Sequence, residues 1–407
     1  MLFSIAWKNM WRNKLRSLIV IIAMTLGLIG GIISAGIMAG AADQGLKDAL
    51  NDYASEIQIH HPKFSENYEL KQYIDNSSEL NDFILNIDGV ESVSSRIKIL
   101  GMANSPVNAV GVFINAIDPE KEKLVTHIYK RIPDSAGTYF KSGRNNQIVI
   151  SQRMADKLQL KLNSKLVLTF SENDSAYSGG AFRVCGIFKT SNSGFDEMNV
   201  FINQSDLAKI SSLPENISHE TAVRIPLNEN LDIVQKKIKE KFPDLMVESW
   251  KESQGYIALM NDLMDKMIYI FLIIILLALG FAIVNTMLMV VLERIKEVGM
   301  LMAVGMSKWR VFKMIMYETI FLSSVGGVIG MIISAFLLSY WSENGMNFAG
   351  FEEGFEQFGI STLIYPSLEL DFYFILSFLI ILTGILASIY PARKAVKMNP
   401  VEAIRTE

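Results

Sequence analysis

The side chains able to carry chemistry are few in this sequence. Histidine occurs at His60, His61, His127 and His219, and cysteine only at Cys185. Adjacent residues on a strand point to opposite faces, so His60 and His61, beside Pro62, are expected to be solvated turn histidines rather than metal ligands. Cys185 sits in the apolar run 182–188 and reads as a buried strand thiol. A single cysteine also rules out an intrachain disulfide and any multi-cysteine metal site. No Gly-x-Ser-x-Gly, His-Glu-x-x-His or Walker A pattern occurs, so the expectation is a chain with no catalytic site, metal or cofactor of its own and no phosphate loop for ATP hydrolysis. Glu318, at the edge of an apolar run, is the one acid whose setting makes it a functional candidate. Arg310 and Lys313 are near enough in sequence to pair with it.

The elements that position these residues are dominated by four uncharged runs, 18–39, 267–292, 319–342 and 372–392, of 22, 26, 24 and 21 residues. Each is long enough to cross about 30 Å of hydrocarbon as a helix, the conformation that satisfies the backbone within one segment. Half of the residues are hydrophobic and the net charge is −4, which gives no electrostatic footprint for nucleic acid. Lys8, Arg12, Lys14 and Arg16 precede the first run. Arg294, Lys296, Lys308, Arg310 and Lys313 separate the second from the third, and Arg393, Lys394, Lys397 and Arg405 follow the fourth. The loop 343–371 has no Lys or Arg but carries Glu352, Glu353 and Glu356. The positive-inside rule then places both termini and the middle loop in the cytoplasm. The division expected is an amphipathic cytoplasmic helix (1–17), spans at 18–41, 267–292, 314–342 and 372–392, an external domain (42–266), a cytoplasmic loop (293–313), a short external loop (343–371) and a cytoplasmic tail (393–407). Ala39-Gly40-Ala41 resembles a signal-peptide cleavage site, but its apolar core is longer than a signal's.

Between the first two spans the pattern is mixed. Strand-like runs fall at 57–60, 92–100, 107–114, 148–150, 165–170, 182–188, 198–202 and 221–225. Helical patterns fall at 79–87, 152–160, 205–210 and 231–242, and 173–180 reads as an exposed loop. This predicts an α+β domain with two subdomains. Apolar residues at near-helical spacing (Leu46, Leu50, Tyr53; Ile257, Met260, Met264) flank it. They predict either two stalk helices continuous with the spans or short helices ending at the interface.

Small residues recur every four positions in two spans, at Ala23, Gly27, Gly31 and Ala35 and again at Gly326, Gly330 and Ser334. Such stripes let helices approach closely, either between subunits or within the chain. After the second run the sequence reads, from Glu293, Glu-Arg-Ile-Lys-Glu-Val-Gly-Met-Leu-Met-Ala-Val-Gly-Met-Ser-Lys-Trp-Arg. A short amphipathic helix over 296–303 is predicted, closed by Gly305 and restarted at Ser307, with a Met/Leu face suited to a groove on another protein.

This loop closely resembles the cytoplasmic coupling segment of the FtsX/MacB-type ABC transporter permeases, with Arg294, Glu297, Gly299, Ala303 and Gly305 on the family's pattern. The basic opening from Ala6 and the closing run Pro391-Ala-Arg-Lys-Ala-Val-Lys-Met-Asn-Pro-Val-Glu-Ala-Ile-Arg resemble the same family. The runs from Ile148 and Val184 are similar to its lipoprotein-releasing (Lol-type) branch. The resemblance implies an α-helical membrane protein of four spans with a MacB-like extracytoplasmic α+β domain on helical stalks, in the bacterial inner membrane. It implies a separate ABC ATPase binding ATP and Mg, docked through Glu293, Arg294, Glu297, Gly299, Met300, Leu301, Ala303 and Gly305. It also implies a second permease, identical or related, with lipoproteins and a periplasmic carrier as further partners. Ala23, Gly27, Gly31, Ala35, Gly326 and Gly330 would form the transmembrane helix interface. MacB-like efflux and FtsX-like control of cell-wall hydrolases are the rival outputs.

Overall fold

A computed structural model of the chain describes residues 2–12, 14–173, 176–226 and 231–397. Among the described residues four helices are long and apolar enough to cross a membrane: TM1 (Lys14–Ala49), TM2 (Gly255–Glu293), TM3 (Lys308–Asn344) and TM4 (Leu370–Lys397). TM1 has 36 residues and TM2 has 39. At about 1.5 Å per residue each exceeds the roughly 30 Å of a bilayer core. The chain divides into two compact units, one of 1–42, 262–347 and 363–407, the other of 43–261 and 348–362.

In the helical unit, Met24, Leu28 and Ile32 of TM1 share a core with Leu272, Leu276 and Ile283 of TM2, Leu322 of TM3 and Leu376 and Ile380 of TM4. The outward faces keep large apolar side chains, among them Phe281, Phe336 and Phe374, each about three-quarters exposed. Apolar inside and out is the pattern of a bundle solvated by lipid. The N-terminal helix Leu2–Arg12 buries Ala6 and Met10 and sets Phe3 and Trp7 edge-on to Phe321 of TM3.

The other unit is an α+β domain built on nine strands: β1 (Ile57–His60), β2 (Ser92–Asn104), β3 (Ala109–Ile117), β4 (Gln147–Ser151), β5 (Lys165–Asn173), β6 (Ala176–Phe188), β7 (Asn199–Asn203), β8 (Glu220–Arg224) and β9 (Met246–Ser249). Pairings β2–β3, β3–β7, β7–β4, β4–β6, β6–β5 and β5–β2 close six strands into a ring. Ile99, Ile114, Ile150, Leu168 and Phe182 fill its core, and closure leaves the ring no free edge. The second subdomain is an antiparallel sheet, β2-β8-β1-β9. Its core joins Ile57, Ile59 and Val223 to Leu80 and Ile84 of helix Ser77–Leu85 and to Val234 and Ile238 of helix Leu231–Lys241. β2 serves both subdomains, pairing with β8 through 92–96 and with β3 and β5 through 97–104.

Three expectations are corrected. The stretch 173–180 is mostly a hairpin, with Ser171 opposite Tyr177 and Thr169 opposite Gly179; Asp174 and Ser175 lie outside the described residues. His60 is not a solvated turn residue. It is 6% exposed on β1, with Nε2 3.3 Å from Glu248, because β1 lies between β8 and β9. Cys185 is only half-buried, though burial pushes its thiol up to about 11. The loop between TM3 and TM4 carries a 3-10 turn, Ala349–Phe351, and a helix, Glu352–Gln357. Residues 348–362 join the α+β unit, where Glu352 pairs with Lys189.

The end of the TM1 helix is seated in this domain. A π-helical turn, Leu50–Ala54, leads into β1. Arg131 grips Asp48 and Asp52 at 2.8 and 2.9 Å. Asn192 donates to the Tyr53 hydroxyl at 2.8 Å, and the Tyr53 ring stacks on Phe195. Arg224 donates to Asn51 and pairs with Glu56. Deeper in, Arg96 bridges Glu122 and Glu220, both at 2.7 Å, and Lys98 also pairs with Glu220. Burial alone would raise the Glu220 carboxyl, but Lys98 and Arg96 outweigh it and hold it at about 2. Burying three such charges is tolerable only because each is paired.

Candidate functional site

The segment after TM2 forms a short helix, Ile295–Ala303. Its closure follows from the sequence. The Met306 N–H bonds the Leu301 carbonyl at 2.9 Å and the Gly305 N–H bonds that of Met302 at 3.1 Å, the two bonds of a Schellman stop. Gly305 supplies the positive φ, +102°, that this stop requires. Ser307, in extended conformation, then occupies the N-cap position of TM3 without a side-chain capping bond.

One face of this helix is fixed and the other is free. Val298 and Gly299 are buried, and Met302 packs on the bundle core. Met300, Leu301 and Val304 are exposed, Val304 by 85%, as are Lys296, Ala303 and Gly305. The helix thus presents an apolar tip on a fixed base.

A chain of alternating charges fixes the base. Arg294 donates through Nε to Glu297 at 3.0 Å and through Nη1 to Glu318 of TM3 at 3.1 Å. Arg12, ending the N-terminal helix, pairs with the same Glu297. Burial pushes the Glu297 carboxyl up, but hydrogen bonds from Arg294 and Arg12, with their charges, hold it below its ordinary value. Arg294 and Glu318 are the buried members, with side chains 14% and 7% exposed. Glu318 therefore pairs with Arg294, not with Arg310 or Lys313. The chain ties three elements far apart in sequence, with Asn9, Arg12, Arg294 and Glu318 lining one small pocket alongside Val20, Met287, Val290 and Leu322. Among the loop residues singled out from sequence, Arg294, Glu297 and Gly299 belong to the base, and Met300, Leu301, Ala303 and Gly305 to the tip. Glu293 is exposed at the end of TM2. Arg12 was not singled out, and only the tertiary contact identifies it.

The small-residue stripes make close helix contacts within this chain. A Cβ on Gly27 would lie 2.6 Å from Leu279 of TM2, and one on Gly31 2.8 Å from Ile275. Gly326 and Gly330 of TM3 face Met24 and Leu28 of TM1 at 3.0 and 3.1 Å, where Thr25 Oγ1 also donates to the Gly326 carbonyl. Ala35 is buried and Ala23 is exposed. Among the described residues no group of three or more His, Cys, Asp or Glu could hold a metal. The closing run from Met398 onward lies outside the described residues.

Two family models match the chain. Residues 269–400 match the family model of the FtsX-like permease C-terminal domain, and residues 17–241 that of the MacB-like periplasmic core domain. The chain is similar to the lipoprotein-releasing system transmembrane protein LolC of Buchnera aphidicola subsp. Schizaphis graminum, 25% identical over 65% of this chain and 65% of that protein. It is similar to LolC of Haemophilus influenzae, 22% identical over 64% of each. It is also similar to the macrolide export ATP-binding/permease protein MacB 2 of Yersinia pestis bv. Antiqua, 25% identical over 55% of this chain but 32% of that protein. The chain thus spans less than two-thirds of the length of these relatives. The solved periplasmic region of MacB from Actinobacillus actinomycetemcomitans aligns with 53% of this chain at 12% identity, with a TM-score of 0.35.

Proposed function

Because the chain belongs to the FtsX/MacB-type ABC transporter permeases, we propose that it relays the motion of a separate ATPase to its α+β domain, for release of lipoproteins from the bacterial inner membrane. The observation that carries the proposal is the loop helix Ile295–Ala303, with its base held by ion pairs and its apolar tip of Met300, Leu301 and Val304 exposed. A relay needs a contact that transmits displacement without yielding, and a latched helix meets that need better than a flexible loop. ATP and Mg are bound by the ATPase. The termini and this loop face the cytoplasm, by the Lys/Arg bias of the flanks, and the α+β domain faces outward. A second permease, identical or related, completes the transmembrane part. The choice of lipoproteins and a periplasmic carrier as the other partners rests on the LolC relatives.

A second reading, MacB-like export, is favoured by the MacB relatives and by the match to the MacB-like core domain. Affinity purification of the tagged chain in mild detergent separates the two. An ATPase recovered with lipoproteins or their carrier supports release; an ATPase recovered with an efflux adaptor supports export. Met300→Asp with Val304→Asp is expected to remove the ATPase from the sample while the chain stays folded. Unchanged ATPase recovery from that variant would overturn the docking assignment.

A further inference from the structure

We propose that the charged end of the helix bundle, where TM3 begins and TM4 ends, carries a binding groove for an anionic phospholipid. The groove runs between the first turns of TM3 and the last turns of TM4, lined by Lys308, Trp309 and Phe312 from one and Ile389, Arg393 and Lys397 from the other. Its composition is graded along the helices. Lys308, Arg393 and Lys397 stand at the outer end. Phe312 and Ile389 lie one turn further in, about 6 Å at the helical rise. That is the succession a lipid presents, phosphate first and acyl chain beneath.

Charge selects the occupant. Among the described residues no Asp or Glu lines the groove and none of its three cations is in an ion pair, whereas Arg12 and Arg294 are both paired. A second copy of the chain seated symmetrically here would set cation against cation. Basic pockets between transmembrane helices hold anionic head groups for the converse reason. The aromatic wall fits the same depth. Trp309 is 62% exposed, its ring stacks on Phe312 with centroids 5.2 Å apart, and Lys313 Nζ lies 5.4 Å from its centroid. Tryptophan beside lysine is the usual furniture of the headgroup layer. On TM4, Leu386 and Tyr390 beside the groove's Ile389 in sequence are exposed, so the helix surface there is apolar and suits an acyl chain.

The test is native mass spectrometry of the full chain in mild detergent, titrated with phosphatidylglycerol. Saturable binding is expected, at least tenfold tighter than for phosphatidylcholine. Loss of each cation should weaken it about fivefold, so R393Q/K397Q weakens it roughly 25-fold. The charge-matched pair K8Q/K14Q, outside the groove, leaves it within about twofold, and R393K/K397R retains it, which guards against a folding defect. Equal weakening by both neutralising pairs would reduce the effect to surface charge and overturn the proposal. Displacement of the lipid by inorganic phosphate would assign the site to a soluble anion and overturn it. Retained lipid binding by R393Q/K397Q with loss of a co-purifying protein would give the groove to that protein and overturn it equally.

Discussion

Replacing Arg294 by alanine removes the cation that, among the described residues, is ion-paired to both Glu297 and Glu318. The consequences for the two acids differ. Glu297 is 43% exposed and keeps Arg12, so its share is that of a surface pair, about 0–1 kcal/mol. Glu318 is 7% exposed, with Arg294 Nη1 at 3.1 and 3.4 Å from its two oxygens. Leaving such a carboxylate without its partner costs about 3–5 kcal/mol. At 3 kcal/mol the base of the loop helix should open roughly 150-fold more often. Hydrogen exchange reads this directly, because the Val298 amide bonds the Arg294 carbonyl at 3.0 Å and is released when the helix opens. Exchange at Val298 and Gly299 should quicken by about that factor in detergent-solubilised protein. Arg294→Leu with Glu318→Leu, which removes both charges, should recover most of the loss. If the single variant exchanges within about twofold of the parent, the ion-pair chain does not hold the helix, and the reasoning fails.

Three further outcomes follow from the same geometry. Gly305→Val places a β-branched residue at φ +102°, which costs at least about 1–2 kcal/mol; ATPase stimulation should fall while assembly, read by size exclusion, survives. Gly40→Ala brings a Cβ within 2.3 Å of the Tyr365 carbonyl oxygen and 2.9 Å of Pro366, backbone that cannot swing aside, so a loss of about 1–3 kcal/mol in thermal unfolding is expected. Glu220 is held at about 2 against an ordinary 4.5. Its depressed value contributes stability that is full above 4.5 and lost as pH falls from there towards 2. Glu220→Gln should flatten that part of the acid-unfolding curve; an unaltered curve would show that the carboxylate is not the group responsible.

The parts legible in the sequence are those decided locally. Apolar length marked the spans, and Gly305 marked the helix stop because only a left-handed residue closes that turn. Asp118 followed by Pro119 was an equally local signal, an N-cap with proline in the first helical turn, and it starts the unanticipated helix Pro119–Val125. Other features depend on what the fold brings alongside. Arg310 stands eight residues before Glu318, about 12 Å along the helix, and Lys313, five residues before, lies off its face. The true partner arrives from the end of TM2. The sequence 173–180 looked like a loop because it is polar and glycine-bearing. Gly179 is instead there because a Cβ would meet the Leu168 carbonyl oxygen at 2.4 Å across the hairpin. β9 offered too little to read, since four residues, Met-Val-Glu-Ser, carry hardly two periods of alternation. The stripes announced close packing, but which helix each glycine faces is a property of the assembled bundle.

The adjacency of β1 and β9 determines how the domain bears a load. Residue 57, just beyond the TM1 helix and its π-turn, sits opposite residue 249, shortly before TM2, at the same end of a ladder of four residue pairs. Traction that separates these two points peels the ladder from one end, so its bonds fail in succession and little force is needed. Traction that draws both points the same way leaves every bond of the ladder unstressed and carries the sheet along as one piece. The domain therefore yields to traction that spreads its two attachments apart and moves whole under traction they share.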